Sequence, residues 1–144
     1  MKKLSVSILV LFLASLMVGT AGAQIVRYWF TIDVPFSFMV GLRSLPSGHY
    51  EVFGSPNHNL IWIKSSDGKT LALTYAVPTT NRESVERSAL VFNRYGDDYF
   101  LAKVLTAGTS IAAGMTKSQR ERELAQAATK SPARILYAKG VPNK

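Results

Sequence analysis

Residues 30–40 read FTIDVPFSFMV, and this stretch decides the fold of the chain. Every even-numbered position in it is apolar, whereas the odd-numbered positions are polar or turn-forming, with the exception of Met39. Because successive side chains of a β-strand point to opposite faces, this alternation predicts an extended segment with one face in a core. Pro35 has no N–H to donate to a ladder, which predicts a sheet edge or a bulge at that position.

Further short segments with β character follow, separated by turn-forming residues. The motif LPSG at 45–48 predicts a turn, because proline suits its second position and glycine its fourth. Asp67 and Gly68 tolerate the backbone of a tight turn and predict a β-hairpin around them. The predicted strands after residue 40 are 49–53, 60–64, 70–77, 89–95, 99–105 and a last short one at 134–138, with a connecting loop over 78–88.

A second hairpin is predicted around residues 96–98, read as a three-residue loop. That length would pair Tyr95 with Tyr99 and Arg94 with Phe100. Short strands joined mainly by hairpins indicate an all-β, mainly antiparallel fold. We therefore expect a small β-sandwich or barrel of about six to eight strands with a C-terminal basic helix.

The composition of the chain changes near residue 115. Residues 24–115 carry 8 basic and 7 acidic side chains, whereas residues 116–144 carry 7 basic and 2 acidic ones. Thr116 stands three residues before Gln119, the spacing of a capping box, and a helix is predicted over 117–129. We predict an antiparallel β-domain at 24–115 and a basic helical tail at 116–144.

The first residues have the pattern of a signal peptide. Lys2 and Lys3 precede an apolar run at 4–18, and small residues follow at 19–23. This order predicts a signal peptide over residues 1–23 that is cleaved at its end. The run has 15 residues, fewer than the roughly 20 that a membrane-spanning α-helix needs; the alternative is an uncleaved anchor. We expect export to the periplasm or the extracellular space, with no membrane span after cleavage.

The overall composition limits the classes of function. The chain has 144 residues, of which 47% are apolar, a formal net charge of +8 and no cysteine. It has the length of one ordinary domain and is too apolar for a disordered chain. Without cysteine it forms no disulfide and no thiolate metal site, so its stability must come from packing.

Four motifs give the chain a resemblance to a known group of proteins. They are VPFSF at 34–38, LPSGHY at 45–50, LVFNRYGDDYFL at 90–101 and REREL at 120–124. With them the chain resembles an uncharacterised family of short exported proteins of soil bacteria, over nearly all of its length after residue 23. The resemblance implies export and a small β-rich domain. It implies no activity, catalytic residue or cofactor.

Arg94, Asp97 and Asp98 are candidate binding residues beside the second hairpin turn. Adjacent aspartates suit a turn, where the carboxylate caps backbone N–H groups. They do not suit a glycosidase, whose two carboxylates flank the substrate at roughly 5–10 Å. Arg94 either forms a structural ion pair with one of these aspartates or holds an anionic ligand.

Lys117, Arg120 and Arg122 are further candidates, on the predicted helix. Their charge predicts attraction to an anionic surface or to an acidic protein, and the alternative is a solvated helix. The apolar stripe of this helix is thin, so insertion into a membrane is not expected.

Enzymatic and metal chemistry have little support in the residues. His49 and His58 are the two histidines, and with Glu51 they make a weak zinc set. The chain has neither a Gly-x-Ser-x-Gly motif nor a glycine-rich phosphate loop. We predict no catalysis, no metal and no cofactor.

Three aromatic residues, Tyr28, Trp29 and Trp62, suggest a contact surface. Aromatic rings beside basic residues can stack on nucleobases, but an exported protein rarely meets nucleic acid, so no nucleic-acid partner is predicted. Sugars or proteins are the contacts to expect if these rings are exposed, and the alternative is that they are buried or half-buried in the core.

These observations lead to one functional hypothesis and two alternatives. We expect an exported, non-catalytic envelope protein that binds a protein partner or an anionic surface. The first alternative is a β-barrel carrier of a small apolar ligand, which requires an interior cavity of roughly 300 Å³ or more. The second is an enzyme that uses Asp97, Asp98 or His49 in one cleft.

Overall fold

The computed structural model describes residues 27–69, 71–127 and 132–138. The predicted signal peptide lies outside these residues. The elements are β1 (Arg27–Val34), β2 (Phe38–Val40), β3 (Arg43–Leu45), β4 (Gly48–Gly54), β5 (Leu60–Ser65), β6 (Leu71–Thr80), β7 (Ala89–Tyr95), β8 (Asp98–Leu105), β9 (Ile111–Met115), α1 (Gln119–Ala127) and β10 (Arg134–Tyr137). No helix in these ranges is long and apolar enough to cross a membrane.

The strands form one mixed, mostly antiparallel sheet that does not close on itself. Its main path runs β1-β4-β5-β6-β9-β8-β2-β3, while β7 pairs with β8 and β10 pairs with β7. The pairing of β2 with β8, at Met39 and Phe100, is parallel, and the other pairings are antiparallel. The all-β prediction is confirmed, and the last strand, β10, starts at the predicted position.

In the described residues the sheet has ten strands, whereas the sequence predicts six to eight. Pro35 ends β1, so the single extended segment predicted over 30–40 becomes two strands, β1 and β2. β3 adds a second short strand where no strand was predicted. β9 is a further strand where none was predicted, and its alanines, Ala112 and Ala113, are fully buried.

β6 belongs to two ladders. It pairs with β5 over Leu71–Tyr75 and with β9 over Ala76–Thr80. The prediction that a loop starts at Pro78 is therefore wrong, because the strand continues through this residue. β5 pairs with β6 only as far as Tyr75, so at Pro78 one edge of β6 has no partner among the described strands and a missing N–H is tolerated.

The core is formed by the alternating apolar residues of the strands. Phe30, Ile32, Val34, Phe38 and Val40 are all buried, as the alternation in residues 30–40 predicts. They join one cluster with side chains of the other strands. The remaining buried members are Leu45, Tyr50, Val52, Ile61, Ile63, Ala72, Ala76, Leu90, Phe92, Tyr99, Leu101, Val104, Ala113 and Ala138.

A bulge in β1 sets the direction of two aromatic side chains. The register between β1 and β4 shifts between Tyr28 and Phe30, which leaves Trp29 as the extra residue. Trp29 packs beside the core and lies directly over Gly54, where a Cβ would come within 2.1 Å of its ring. Gly54 is therefore required by the close approach of the indole. The bulge leaves Tyr28 on the outer face of the sheet, opposite Phe53.

Helix α1 begins two residues later than predicted. The hydroxyl of Ser118 accepts a hydrogen bond of 3.2 Å from the N–H of Glu121, so Ser118, rather than Thr116, caps the helix. The sequence identified the right kind of start signal but placed it at the wrong hydroxyl residue. The helix is described as far as Ala127.

Candidate functional site

The turn between β7 and β8 is tighter than predicted. Tyr95 pairs with Asp98, so only Gly96 and Asp97 connect the strands, and the predicted three-residue loop is wrong by one position. Gly96 has a φ of 62°, which glycine adopts without steric cost. This backbone freedom permits the two-residue connection and makes Asp98 the first residue of β8.

The shifted register changes the neighbours of Arg94. Arg94 pairs with Tyr99 on the core face, not with Phe100 as predicted. Phe100 points to the outer face, where its ring lies 5.9 Å from that of Tyr95. The one-residue difference reverses the face of each β8 side chain near the turn, because the side-chain period of a strand is two residues.

Arg94 is held by its own turn. Its Nε donates a hydrogen bond of 2.7 Å to the carbonyl of Gly96, and its Nη2 lies 3.9 Å from Oδ1 of Asp97. The guanidinium lies 5.5 Å from the centre of the Tyr99 ring. These contacts agree with a structural ion pair within the turn.

A second arginine, which the sequence did not single out, lies beside the same ring. Phe36 and Tyr99 stack with centroids 3.9 Å apart, and the guanidinium of Arg134 lies 4.8 Å from the Phe36 centroid. Arg134 also donates a hydrogen bond of 3.4 Å to the Tyr99 hydroxyl. Because β10 reaches this position through its pairing with β7, no local spacing in the sequence could indicate the contact.

The helix docks on the outer face of β7 and β8 through two polar contacts. Asn93 donates a hydrogen bond of 2.7 Å to Oε1 of Glu121, a carboxylate that is only 4% exposed. Nη2 of Arg120 lies 3.8 Å from Oδ1 of Asp98. Part of the basic charge predicted to face an anionic surface is therefore directed at the sheet.

The predicted site residues separate into groups. A surface cleft of about 370 Å³ brings together Asp97, Asp98 and Arg120. Arg94, Lys117 and Arg122 are not among its lining residues, and Lys117 and Arg122 are exposed. The remaining lining residues are Ser37, Phe38, Met39, Leu42, Ser44 and Tyr99.

The two histidines lie in separate places. Nδ1 of His49 contacts Oδ1 of Asp33 on the neighbouring strand. His58 lies in a loop with a φ of 58°, and its ring is 4.9 Å from that of Trp29. Within residues 27–69, 71–127 and 132–138, no group of three or more His, Asp or Glu side chains is placed to hold a metal ion.

A second cleft, of about 350 Å³, lies between the turn before β4 and the turn after β5. The Ser65 hydroxyl, at 2.5 Å, and the Lys69 N–H, at 3.0 Å, donate hydrogen bonds to Asp67 and lower the pKa of its carboxyl group. Tyr50 donates a hydrogen bond of 2.6 Å to the Pro46 carbonyl. Burial, with a smaller contribution from the charge of Asp67, raises the pKa of this phenol. At neutral pH the Asp67 carboxyl group is therefore deprotonated and the Tyr50 phenol is protonated.

The outer face of β1, β4, β5 and β6 carries an unbroken row of apolar side chains. Direct cross-strand pairs join Tyr28 to Phe53, Phe53 to Trp62 and Trp62 to Leu73. Tyr28 is 50% exposed and Leu73 is 56% exposed, while the two rings between them are half-buried. We call this row, together with Leu71, Tyr75 and Val77 of β6, the outer apolar surface.

Of the three aromatic residues named as a possible contact surface, Tyr28 and Trp62 belong to this row, whereas Trp29 packs against the core. The sequence analysis missed the continuation of the row through Phe53 and into β6. Side chains on this face need not be apolar for the sheet to bury its core, because the core lies on the other face. Large contiguous apolar patches on soluble proteins mark interaction sites. The signal was present in β6, where Leu71, Leu73, Tyr75 and Val77 alternate with small residues.

The chain matches no protein-family model, no curated protein and no solved structure. The family resemblance of its motifs therefore stays a prediction.

Proposed function

We propose that this chain is an exported, non-catalytic protein that binds a protein partner through the outer apolar surface. The observation that carries the proposal is the exposed row from Tyr28 to Leu73, which crosses four strands without a polar interruption. Aromatic side chains supply large contact area at a small entropic cost and are enriched in the centres of protein interfaces. Export is proposed from the signal-peptide pattern of residues 1–23.

The charges around this row favour a protein over an anionic surface. On the same face, the next outward pair of β4 and β5 is Glu51 opposite Lys64. The following outward residue of β4, His49, contacts Asp33 of β1. The face therefore has nearly balanced charge and would gain little from anionic lipids. On the helix, Arg120 is directed at Asp98. Binding to an anionic surface is an outcome that the experiment below would detect.

The interior favours protein binding over the carriage of an apolar ligand. Phe38 packs edge-to-face with Tyr50 and with Phe92, both at 5.3 Å between centroids. Phe36 packs in the same way on Phe92, at 5.2 Å. Rings at these distances fill the space between the strands that a carrier would reserve for its ligand.

The contacts of the polar candidates favour a role without catalysis. Arg94 is paired with Asp97, and Arg120 with Asp98, so the carboxylates near the cleft already face cations. A general acid or base requires a titratable group directed at a substrate position.

A comparison of two variants of the full chain tests the proposal. The double substitution Leu73→Ser and Tyr75→Ser makes the outer apolar surface more polar. Leu42→Ser, the control, changes a leucine in the β2–β3 turn that is 86% exposed and lies outside this surface. Each immobilised protein is exposed to a detergent-free envelope extract of its own cells, and to vesicles of phosphatidylglycerol or of phosphatidylcholine.

We expect the wild type and Leu42→Ser to retain the same proteins and the double variant to lose them. Equal retention by all three proteins would overturn the proposal. It would also be overturned if only phosphatidylglycerol vesicles bound, equally to all three, because the basic residues would then determine binding.

A further inference from the structure

We infer that the partner of the outer apolar surface is a second copy of this chain, packed face to face about a two-fold axis that runs along the strands between β4 and β5. The inference rests on the proposed function and names the partner. Its basis is the register of β4 and β5, which places both the aromatic and the charged residues in matched pairs.

The register places outward side chains in rows that run across the strands, and each such row is called a level here. Two adjacent levels matter. In one level, Phe53 of β4 stands opposite Trp62 of β5. In the adjacent level, Glu51 of β4 stands opposite Lys64 of β5. The strands outside this pair, β1 and β6, extend the first level with Tyr28 and Leu73.

A two-fold axis along the strands exchanges β4 with β5 and β1 with β6 while it preserves each level. In the first level, Phe53 then lies against Trp62 of the second copy, and Tyr28 lies against Leu73 of the second copy. Both contacts are apolar on apolar, and each occurs twice by symmetry. Sheets that pack face to face in this way keep their strands nearly aligned, as in β-sandwiches.

The charges select this axis over the alternatives. In the adjacent level, Glu51 lies against Lys64 of the second copy, so the interface gains two attractive pairs. An axis that runs across the strands would instead place Lys64 against Trp62 or Leu60 of the second copy. That arrangement would bury a charge against an apolar side chain, which is unfavourable. The surface is thus self-complementary in one orientation.

The size of the surface sets the expected affinity. Four strands at about 4.8 Å spacing and about 20 Å of strand length give roughly 400 Å² of projected area per copy. Stable dimers bury about 800 Å² per partner, so this face suits a weak, exchanging dimer.

Charge-reversal variants of the full chain test this geometry. Glu51→Lys gives each face two lysines, and Lys64→Glu gives each face two glutamates, so each variant alone should dimerise at least tenfold more weakly than the wild type. An equimolar mixture should recover association as a heterodimer, because two lysines then meet two glutamates. The double variant E51K/K64E should dimerise like the wild type. Sedimentation velocity from about 1 μM to about 1 mM measures the wild type, the two single variants, their mixture and the double variant.

Two controls make the outcomes decisive. Urea unfolding of each variant checks that the fold is intact, and the mixture compares the same two folded proteins alone and together. Association of the single variants at wild-type strength, or no gain on mixing them, would overturn the inference. If the wild type stays monomeric to about 1 mM while Leu73→Ser/Tyr75→Ser abolishes envelope-protein binding, the dimer inference is overturned and the proposed function stands. A chain whose self-association and envelope binding are both unchanged by Leu73→Ser/Tyr75→Ser would overturn the proposed function as well.

Discussion

The outer face of the sheet is covered over β7 and β8 and open over β4, β5 and β6. On the covered half, Tyr95 and Phe100 point outward but are buried, at 3% and 2% exposure, on the face where α1 docks. On the open half, Leu73 and Tyr75 point outward and are 56% and 80% exposed. Both halves thus carry large apolar side chains on the face opposite the core.

The difference shows that outward apolar residues have two uses in one molecule. Where the chain supplies a helix, such residues extend the fold and contribute to its stability. Where it supplies none among the described residues, they leave a surface that gains by contact with another molecule. The same kind of side chain should therefore affect folding in one half and association in the other.

The largest expected effect is on the covered half. Phe100→Ala should lower the free energy of unfolding by about 3–5 kcal/mol, because it removes a ring that is only 2% exposed and leaves a cavity. Phe53→Ala, the matched change on the open half, should cost only about 1 kcal/mol, since that ring is already partly in water. Urea denaturation measures both. Equal losses would mean that the two halves of the outer face do not differ in the way described.

A second prediction concerns the hydrogen bond between Asn93 and Glu121, which holds α1 on β7. Glu121→Ala removes the acceptor of the Asn93 side chain and should cost about 1–3 kcal/mol. Amide hydrogen exchange in β7 and β8 should increase with it. Glu123→Ala is the control, because Glu123 is exposed and accepts its hydrogen bond from Gln119 within the helix. It should change stability by less than about 0.5 kcal/mol. A similar loss in both variants would indicate that the removal of a negative charge from the N-terminal half of the helix, not the loss of the contact with Asn93, is responsible.

The smallest effect is expected at the β5–β6 turn, on the open half. Asp67 has a lowered pKa in the folded chain, so below about pH 4 the unfolded chain binds the proton more readily. Stability should therefore fall as the pH falls through this range. Asp67→Asn should weaken that acid dependence, and Ser65→Ala, which removes one donor, should weaken it less. Urea midpoints at pH 3 and pH 6 measure this acid dependence. If it is the same in Asp67→Asn as in the wild type, Asp67 contributes nothing to the loss of stability in acid.

Much of the fold could be predicted because burial on one face leaves a two-residue period in the sequence. The residues Phe30, Ile32 and Val34 are buried as that period indicates. The period does not show where a segment divides or which strands are neighbours. Pro35 separates β1 from β2, and β2 then pairs in parallel with β8, far along the chain. Such pairings depend on the packing of the whole core.

The candidate site was predicted less well, and for a physical reason. The residue types around Arg94 correctly indicated ion pairing, but a one-residue error in the turn placed Phe100 on the wrong face. The contact of Arg134 with Tyr99 depends on strand pairing between distant segments. The outer row joins four strands, so it becomes visible only when their registers are known.

The sharing of β6 between two ladders has a consequence for how the molecule denatures. Its first five residues pair with β5 and its last five with β9, in one continuous strand. Melting of either ladder would release half of a strand on which the other depends. The covered and open halves should therefore denature together, and fluorescence from Trp29 and Trp62 should report the same midpoint as circular dichroism of the entire chain.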